Sequence, residues 1–168
     1  MGAAPGPDRL VDRLWRLALR AGYRAILLWW WVTRPRITGV HVAVWHAGCV
    51  LLVRNSYRRA RGLPGGRVRR GEPLAQAAAR ELREEVAIVL EPDTLRYAGE
   101  WIAHAFHVED HGHVFECVVD APPEPAVDRR EVVGVAWETP ERALEGLLQP
   151  VARLYLEQAA RRKAGEAG

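Results

Sequence analysis

The sequence predicts one α/β domain preceded by an amphipathic helix. Two features of the periodicity favour this fold class: segments with apolar residues at every second position are typical of strands, and helix-like segments are interspersed among them. The third observation is size and composition. The chain has 168 residues, of which 49% are hydrophobic and 27% are charged, and these values suit a single globular domain with its own core.

The first 34 residues divide into two predicted parts. Residues 1–7 are small and rich in Pro and Gly, so we expect them to be disordered. Residues 8–34 are predicted to form a basic amphipathic helix with Asp8 as its N-cap. The last turns of this helix are apolar all round and include consecutive tryptophans. The predicted basic stripe is Arg9, Arg13, Arg16, Arg20 and Arg24, and the opposing apolar side is Leu10, Leu14, Leu17, Ala21 and Leu28.

This helix permits two interpretations. A basic amphipathic helix that ends in Trp is typical of a peripheral membrane protein, with arginines at the lipid head groups of an anionic surface. Alternatively, residues 8–32 pack on the domain or form a homodimer with a second copy. The uncharged run after Arg24 is far shorter than the roughly 20 residues that a membrane span needs. No small-residue cleavage site follows it, which disfavours a removed signal peptide.

Residues 36–163 are predicted to form the domain. A change to period two after Pro35, followed by a turn at Gly48, predicts a β-hairpin. The basic segment 54–63 is predicted to be a loop, as is the Pro-rich segment 121–130. Glu109 to Gly112 are predicted to form the turn of a second hairpin. The predicted strands are 37–44, 49–53, 97–108, 113–120 and 132–137, and the predicted helices are 73–86, 140–148 and 150–163.

The segment GGRVRRGEPLAQAAARELREEVAI at 65–88 carries the strongest chemical signal. Pro73 is favourable in the first turn of a helix, and good helix formers follow it. Glu81, Glu84 and Glu85 fall on one side of this helix, because residues three and four apart are neighbours. An apolar arc adjoins them and predicts a core-facing side. That arc is formed by Ala75, Ala79, Leu82 and Val86.

Three clustered glutamates repel one another and destabilise a helix. The cluster becomes useful when divalent cations lie between the carboxylates, since Mg²⁺ and Mn²⁺ prefer oxygen ligands. The alternative is a solvated acidic side with Arg80 and Arg83 as partners. The spacing of the glutamates favours the metal site.

The spacing closely resembles the Nudix box of the Nudix hydrolase family. Its flanks, 40–55 and 132–137, also resemble that family, so the resemblance covers about residues 37–150. It implies an α/β/α sandwich around a mixed β-sheet. Ala87 stands where the family has Gly, so either Ala87 adopts a positive φ, which costs about 1 kcal/mol, or the helix continues for a residue or two. The matching positions are Gly66, Glu72, Arg80, Glu81, Leu82, Glu84, Glu85 and Ile88.

The resemblance implies a metal-dependent pyrophosphohydrolase that cleaves a diphosphate bond in a nucleoside diphosphate linked to another moiety. Mg²⁺ is the expected cofactor, with Mn²⁺ as the alternative. Glu84, Glu85 and the carbonyl of Gly65 resemble the metal ligands of the family. Glu81 resembles the residue that orients a metal-bound water or acts as the base.

Arg80 and Glu72 resemble the ion pair that holds loop 66–72 against the helix. An exposed Arg80 paired only with Glu84 is the alternative, and such a surface pair contributes little to stability.

Residues outside the box complete the predicted site. Family members often use one more acidic residue, for which Glu116 and Glu131 are the candidates. Arg54 and Arg58, in the basic loop, are candidates for binding substrate phosphates, and a solvated loop is the alternative. His111 lies among several histidines near the predicted turn. Strand alternation puts these histidines on different faces, which favours substrate contact over a metal site.

The net charge and the cysteines limit the partners and the cellular location that the sequence predicts. The net charge of +3 suits an anionic small molecule or surface, and it disfavours nucleic acid as a partner. Cys49 and Cys117 lie in apolar strands without metal-ligand spacing, which predicts a reducing, cytoplasmic location, including the inner face of a membrane. A non-catalytic Nudix-fold module that senses a nucleotide or binds a partner is the alternative function. The intact glutamate cluster argues against it.

Overall fold

A computed structural model describes residues 10–105, 107–121 and 130–166 of the chain. The predicted disorder of residues 1–7, the N-cap Asp8 and most of the predicted loop 121–130 lie outside the described residues. The strands are Arg36–His46 (β1), Cys49–Asn55 (β2), Gly65–Arg67 (β3), Arg96–Ala105 (β4), Val108–Val118 (β5) and Val132–Glu138 (β6). The helices are Leu10–Thr33 (α1), Leu74–Val86 (α2), Pro140–Leu144 (α3) and Pro150–Glu166 (α4), and Pro92–Thr94 forms a short 3₁₀ turn.

The strands form a mixed sheet in the order β4-β5-β1-β2-β6, and β3 pairs with β1. β1 runs parallel to β5, whereas it is antiparallel to β2 and β3. β2 meets only the last residues of β1, at Trp45 and His46. β3 meets its earlier residues, Gly39 to His41. The central strand therefore holds the glycines of β3 beside the main sheet.

Helices cover both sides of the sheet, which confirms the predicted α/β/α sandwich. Because successive side chains of a strand point to opposite faces, Val40, Val42 and Val44 of β1 join the core beneath α2. Ala43, between them, joins the second core. That core includes Tyr155 and other buried residues of α4. Alternate residues of β1 thus contribute to the hydrophobic cores on the two sides of the sheet.

The predicted turn at 109–112 is wrong. β5 begins at Val108, and the turn contains His107, which has a φ of 63°. Glu109 to Gly112 pair with Arg36 to Gly39 of β1, so the parallel ladder holds them in the sheet. Gly112 has a packing role instead of a turn role, since a Cβ there would lie 2.5 Å from a methyl carbon of Val151. Similarly, the helix predicted at 140–148 ends at Leu144.

α2 ends at Ala87, which has the left-handed values φ 57° and ψ 22°. Its backbone N–H donates to the carbonyl of Arg83 at 3.1 Å. Of the two alternatives that the sequence allowed, the structure therefore has the positive φ and not the longer helix.

α1 is a long helix with no fully buried residue. None of the described helices is both long enough and apolar enough to cross a membrane. One side of α1 faces the domain, where Arg20 Nε donates to the Ser56 carbonyl at 3.1 Å and Asp12 pairs with Arg130 at 3.2 Å. The opposite side is exposed and apolar. We call this side the outer face; it consists of Leu10, Leu14, Leu17, Ala21, Ala25, Leu28 and Val32.

Candidate active site

A cavity of about 690 Å³ lies between α1, α2, β1 and the segment around β3. Its polar side contains carboxylates from two parts of the chain together with the paired glycines that precede α2. The residues on this side include Asn55, Gly65, Gly66, Glu81, Glu84, Glu85 and Glu131. The structure therefore brings the three box glutamates predicted for the site to one cavity.

The two glycines allow the chain to pass close to its neighbours. A Cβ on Gly65, whose φ is 157°, would lie 2.1 Å from the carbonyl oxygen of Val40. A Cβ on Gly66 would lie 2.5 Å from the carboxyl group of Glu81. No side chain fits at either position without displacing β1 or the glutamate.

Glu85 is held in the cavity by two hydrogen bonds. It accepts hydrogen bonds from the backbone N–H of Gly65 at 2.8 Å and from Asn55 Nδ2 at 3.3 Å. Burial raises the pKa of Glu85 to about 7, and the negative charges of Glu131 and Glu81 act in the same direction. A positive charge near Glu85 would offset both effects.

Glu81 and Glu84 are held by arginines. Arg80 donates to Glu81 at 2.6 Å, and burial raises the pKa of Glu81. Glu84 is 46% exposed and lies 3.3 Å from Arg80 and 3.5 Å from Arg69. Each of the three glutamates thus has at least one protein partner, and Glu81 and Glu84 share Arg80. Among the described residues, no three His, Cys, Asp or Glu side chains are grouped closely enough to hold an ion in these conformations.

The donor chemistry of this side nevertheless fits a hard divalent cation. Burial raises the pKa of both Glu81 and Glu85, and the negative charge of Glu131 acts in the same direction on both, which is an unfavourable arrangement without a cation. Carboxylate oxygens are also the ligands that Mg²⁺ and Mn²⁺ prefer.

Arg80 and Glu72 form a bidentate ion pair. Arg80 Nε lies 2.7 Å from one oxygen of Glu72, and its Nη2 lies 2.9 Å from the other. Nη2 also donates to the carbonyl of Arg67. The hydrogen bond from Arg80 lowers the pKa of Glu72 to about 2, with help from the backbone N–H of Arg69. The Arg80 side chain is only 11% exposed, so it differs from the exposed arginine of the alternative interpretation.

The two further acidic candidates lie in different places. Glu131 is on the cavity, where the hydroxyl of Tyr57 donates to it at 3.0 Å. Glu116 is buried on the other side of the sheet, accepts a hydrogen bond from Tyr155 at 2.7 Å and pairs with Arg96.

The three candidates for substrate binding are also separated. Only Arg58 lines the cavity. Its guanidinium lies 5.0 Å from the ring centroid of Tyr23 and donates to Gln149 at 2.8 Å. Its buried Nε has no hydrogen-bond partner among the described residues. Arg54 is exposed beside Gly134, and His111 lies between Glu100 and Glu109. Neither Arg54 nor His111 lines the cavity.

The sequence did not indicate that α1 forms a side of this cavity. The inward residues of α1 are mostly apolar, and Tyr23 contacts the ring of Tyr57 at a centroid distance of 5.2 Å. Asp110 of β5 is a second cavity residue that was not predicted, because it was assigned to a turn. We call the α1 side the α1 wall; it consists of Trp15, Ala18, Leu19, Gly22, Tyr23, Ile26 and Trp30.

Comparisons with known proteins agree with this geometry. The model of one family, described as the NUDIX domain, matches residues 35–159. The human 8-oxo-dGDP phosphatase NUDT18 is 31% identical over 118 residues, which are 66% of this chain and 36% of the human protein. This chain thus spans little more than a third of that relative's length.

Two solved structures show the same fold. A MutT protein of Methanosarcina mazei Go1 aligns with a TM-score of 0.64 and 26% identity over 78% of this chain and 97% of its own. A Francisella tularensis NMN adenylyltransferase/ADP ribose pyrophosphatase, in complex with AMP and a Mn ion, aligns with a TM-score of 0.63. It is 21% identical over 88% of this chain and 48% of its own, so it supports the fold alone.

Proposed function

This chain belongs to the NUDIX domain family, and we propose that it is a metal-dependent hydrolase that cleaves a diphosphate bond in a nucleoside diphosphate linked to another moiety. One observation carries the proposal: Glu81, Glu84, Glu85 and Glu131 line one cavity beside the glycine pair 65–66. A site for diphosphate hydrolysis needs such carboxylates, because they hold the cations that neutralise phosphate oxygens.

Mg²⁺, or Mn²⁺ as the alternative, would be held by Glu84, Glu85 and the carbonyl of Gly65, with Glu81 beside them. When bound, the metal supplies charge neutralisation at the phosphates and a lower pKa for a bound water. Glu81 would orient the attacking water or accept its proton. The partners that now hold the glutamates, Arg80 and the Gly65 N–H among them, keep the acidic groups in place until the metal binds.

The remaining residues have positioning roles in this proposal. Arg80 and Glu72 hold loop 66–72 against α2, which fixes the glycine pair near the glutamates. Glu131 is the additional acidic residue, since it shares the cavity, whereas Glu116 supports the packing of α4. Arg58 contacts the substrate phosphates, because its buried Nε needs an acceptor and anionic oxygen provides one.

A substrate panel with Mg²⁺ tests the activity. It contains nucleoside triphosphates, nucleotide sugars, ADP-ribose, dinucleotides, CDP-alcohols and 8-oxo-dGDP, the last because of the relative's name. We expect Glu85→Gln to lower kcat/KM at least about 100-fold, since a metal ligand should matter more than an outer-shell partner, whose loss costs about 10–100-fold. Glu157→Gln, on α4, is the matched control and should stay within about twofold, as is usual for a surface substitution.

Equal turnover by Glu85→Gln would contradict the ligand set. The alternative, a nucleotide-sensing or partner-binding module, predicts tight nucleotide binding without turnover over the whole panel.

We further propose that the outer face of α1 contacts an anionic membrane surface. Its leucines are more than half exposed, with Leu10 at 71% and Leu28 at 66%, and Arg13 and Arg24 flank them. Flotation of the full-length protein with anionic vesicles tests this contact. The paired substitution Leu14→Glu and Leu28→Glu should abolish flotation, whereas a homodimer through this helix would appear in light scattering without vesicles.

A further inference from the structure

The cavity joins two chemically different sides. Carboxylates line the side formed by α2, whereas the α1 wall is formed mainly by Trp15, Leu19, Ile26 and Trp30 together with the small residues Ala18 and Gly22. The polar groups of a sugar or base need hydrogen-bond partners when they are taken out of water. Indole and phenol groups are the only polar side-chain groups of the α1 wall, so this side suits an apolar part of a ligand.

The α1 wall is continuous with the outer face. At about 100° per residue, Ala18 is the residue of the α1 wall nearest to the outer face, and Trp15 precedes it in the wall by about one turn. Both residues are exposed, Trp15 at 53%, although both also line the cavity. No charged residue of α1 occupies this flank, because the arginines are on the opposite flank of the helix. An apolar chain could therefore pass along the helix from the outer face to the cavity without meeting a charge on α1.

The charges around the outer face indicate which kind of partner surface it contacts. Arg13 and Arg24 follow one flank, and Arg34 and Arg36 are exposed just beyond the helix. Arginines beside an apolar helix face match the head groups and acyl chains of an anionic bilayer.

We propose that the moiety linked to the nucleoside diphosphate is a lipid, which reaches the cavity from the bilayer along Ala18 and the α1 wall. This inference rests on the proposed hydrolase activity. The diphosphate lies against the glutamates, and the lipid chain lies against α1. In the reaction, one water oxygen forms a bond to phosphorus and one phosphoanhydride P–O bond breaks. The products are a nucleoside monophosphate and a phospholipid monoester, with release of a proton.

A matched pair of substrates tests the lipid. CDP-diacylglycerol in anionic vesicles and water-soluble CDP-glycerol carry the same nucleoside diphosphate and the same glycerol, and they differ in their acyl chains. With Mg²⁺ and full-length protein, we expect kcat/KM to be at least about tenfold higher for CDP-diacylglycerol, since apolar contacts discriminate by about that factor.

Gly22 offers a selective variant. A Cβ at Gly22 meets no heavy atom within 4 Å, and the residue lines the cavity. Gly22→Phe should therefore fill the path and lower kcat/KM for CDP-diacylglycerol at least about tenfold more than kcat/KM for CDP-glycerol. Gln158→Phe adds the same ring at an exposed position of α4, away from the cavity and the outer face, and should leave the ratio of the two kcat/KM values unchanged. Equal losses on both substrates would indicate a structural effect and overturn the path.

Binding gives a readout that does not depend on turnover. CDP-diacylglycerol with brominated acyl chains should quench the tryptophan fluorescence of the metal-free protein, and Gly22→Phe should reduce this quenching. The inference is overturned if the kcat/KM for CDP-glycerol, or for another soluble member of the panel, equals or exceeds the kcat/KM for CDP-diacylglycerol. It is also overturned if the protein forms a dimer through α1 and does not bind vesicles. If no diphosphate of either kind is hydrolysed with Mg²⁺, the proposed hydrolase activity itself fails.

Discussion

At the scale of single residues, Ala87 shows how a local departure from a motif is accommodated. The left-handed conformation at φ 57° ends α2 directly after its glutamates, and it costs a residue with a Cβ about 1 kcal/mol. The last apolar contact of the helix, Val86, is fully buried next to it. The packing of Val86 therefore holds Ala87 in a conformation that glycine would adopt more readily.

Ala87→Gly should raise the free energy of unfolding by about 0.5–1 kcal/mol, because the strain of the left-handed alanine is removed. Urea unfolding measures this change. Ala160→Gly, inside α4, is the matched control and should lower the same quantity by about 1 kcal/mol. A loss of stability in Ala87→Gly would contradict the conformation of this residue.

His41 gives a second prediction at this scale. Burial lowers its pKa to about 4, with further lowering by Arg58 and His113. Between pH 6.5, the ordinary value, and pH 4 the unfolded chain binds a proton that the folded chain does not. His41 therefore makes the folded state less stable as pH falls through this window, by up to about 3 kcal/mol.

The wild type and His41→Gln should be unfolded in urea at several pH values across this window. The raised pKa of Glu85 has the opposite sign, so only the difference between the two proteins isolates His41. Without the imidazole, the variant should lose less stability on acidification, and parallel curves would contradict a lowered pKa of His41 in the folded state.

At the same scale, the sequence specified which side of α2 carries the box glutamates, but it left open which residues outside the box join them. Glu81, Glu84 and Glu85 share a helix, so their common side follows from local geometry. Glu116 and Glu131 were equivalent in the sequence, because the choice depends on which side of the sheet each strand end faces. Arg54 and Arg58 were equivalent for the same reason, although only Arg58 lines the cavity.

At the scale of elements, α4 is joined to the sheet by a buried hydrogen-bond chain. The hydroxyl of Tyr155 accepts a hydrogen bond from Trp45 Nε1 at 2.9 Å and donates to Glu116. These two hydrogen bonds connect α4, β1 and β5. The helix that carries Tyr155 was predicted from the sequence, but the partners of Tyr155 are distant in sequence and were not predicted.

Tyr155→Phe should lower the free energy of unfolding by about 1–3 kcal/mol, since it leaves the Trp45 N–H without its acceptor and removes a donor from Glu116. Chemical denaturation measures the loss. Tyr97→Phe is a matched control, because the hydroxyl of Tyr97 bonds to His113 at an exposed position, and its effect should stay within about 0.5 kcal/mol. Equal effects of the two substitutions would contradict the importance of the buried chain.

At this scale too, the turn between β4 and β5 was predicted at the wrong position. A Gly that follows Glu, Asp and His is a reasonable turn signal, yet Gly112 serves the contact between β5 and Val151 of α4. The parallel pairing of β5 with β1 is a long-range interaction, and no local sequence pattern predicts it. β1, β2, β4 and β6 were predicted because their apolar period is local, whereas the three residues of β3 were not predicted as a strand.

At the scale of the whole molecule, the acidic cavity and the helix above it act together. The cavity concentrates negative charge in a protein whose net charge is +3, and a bound cation would relieve the repulsion in the folded state alone. Metal binding should therefore stabilise the entire domain, since a ligand that binds only the folded state shifts the unfolding equilibrium.

Mg²⁺ at about 100 times its Kd should add about 2.7 kcal/mol of stability, which corresponds to a rise in Tm of roughly 5–10 °C. Differential scanning calorimetry with Mg²⁺ and then with EDTA measures this shift. Glu85→Gln should lose most of it, and Glu157→Gln should retain it. An unchanged Tm in the wild type would refute cation binding at the cavity.

The connection between α1 and the domain has a mechanical consequence. α1 ends at Thr33 and β1 begins at Arg36, so the rotation of the helix about its axis is fixed by the number of residues that separate it from the sheet. One residue inserted near Trp30 would turn everything before it by about 100°. Arg16, Arg20 and Arg24 would then occupy positions of the present α1 wall, and a single-codon insertion would convert an apolar cavity side into a cationic one.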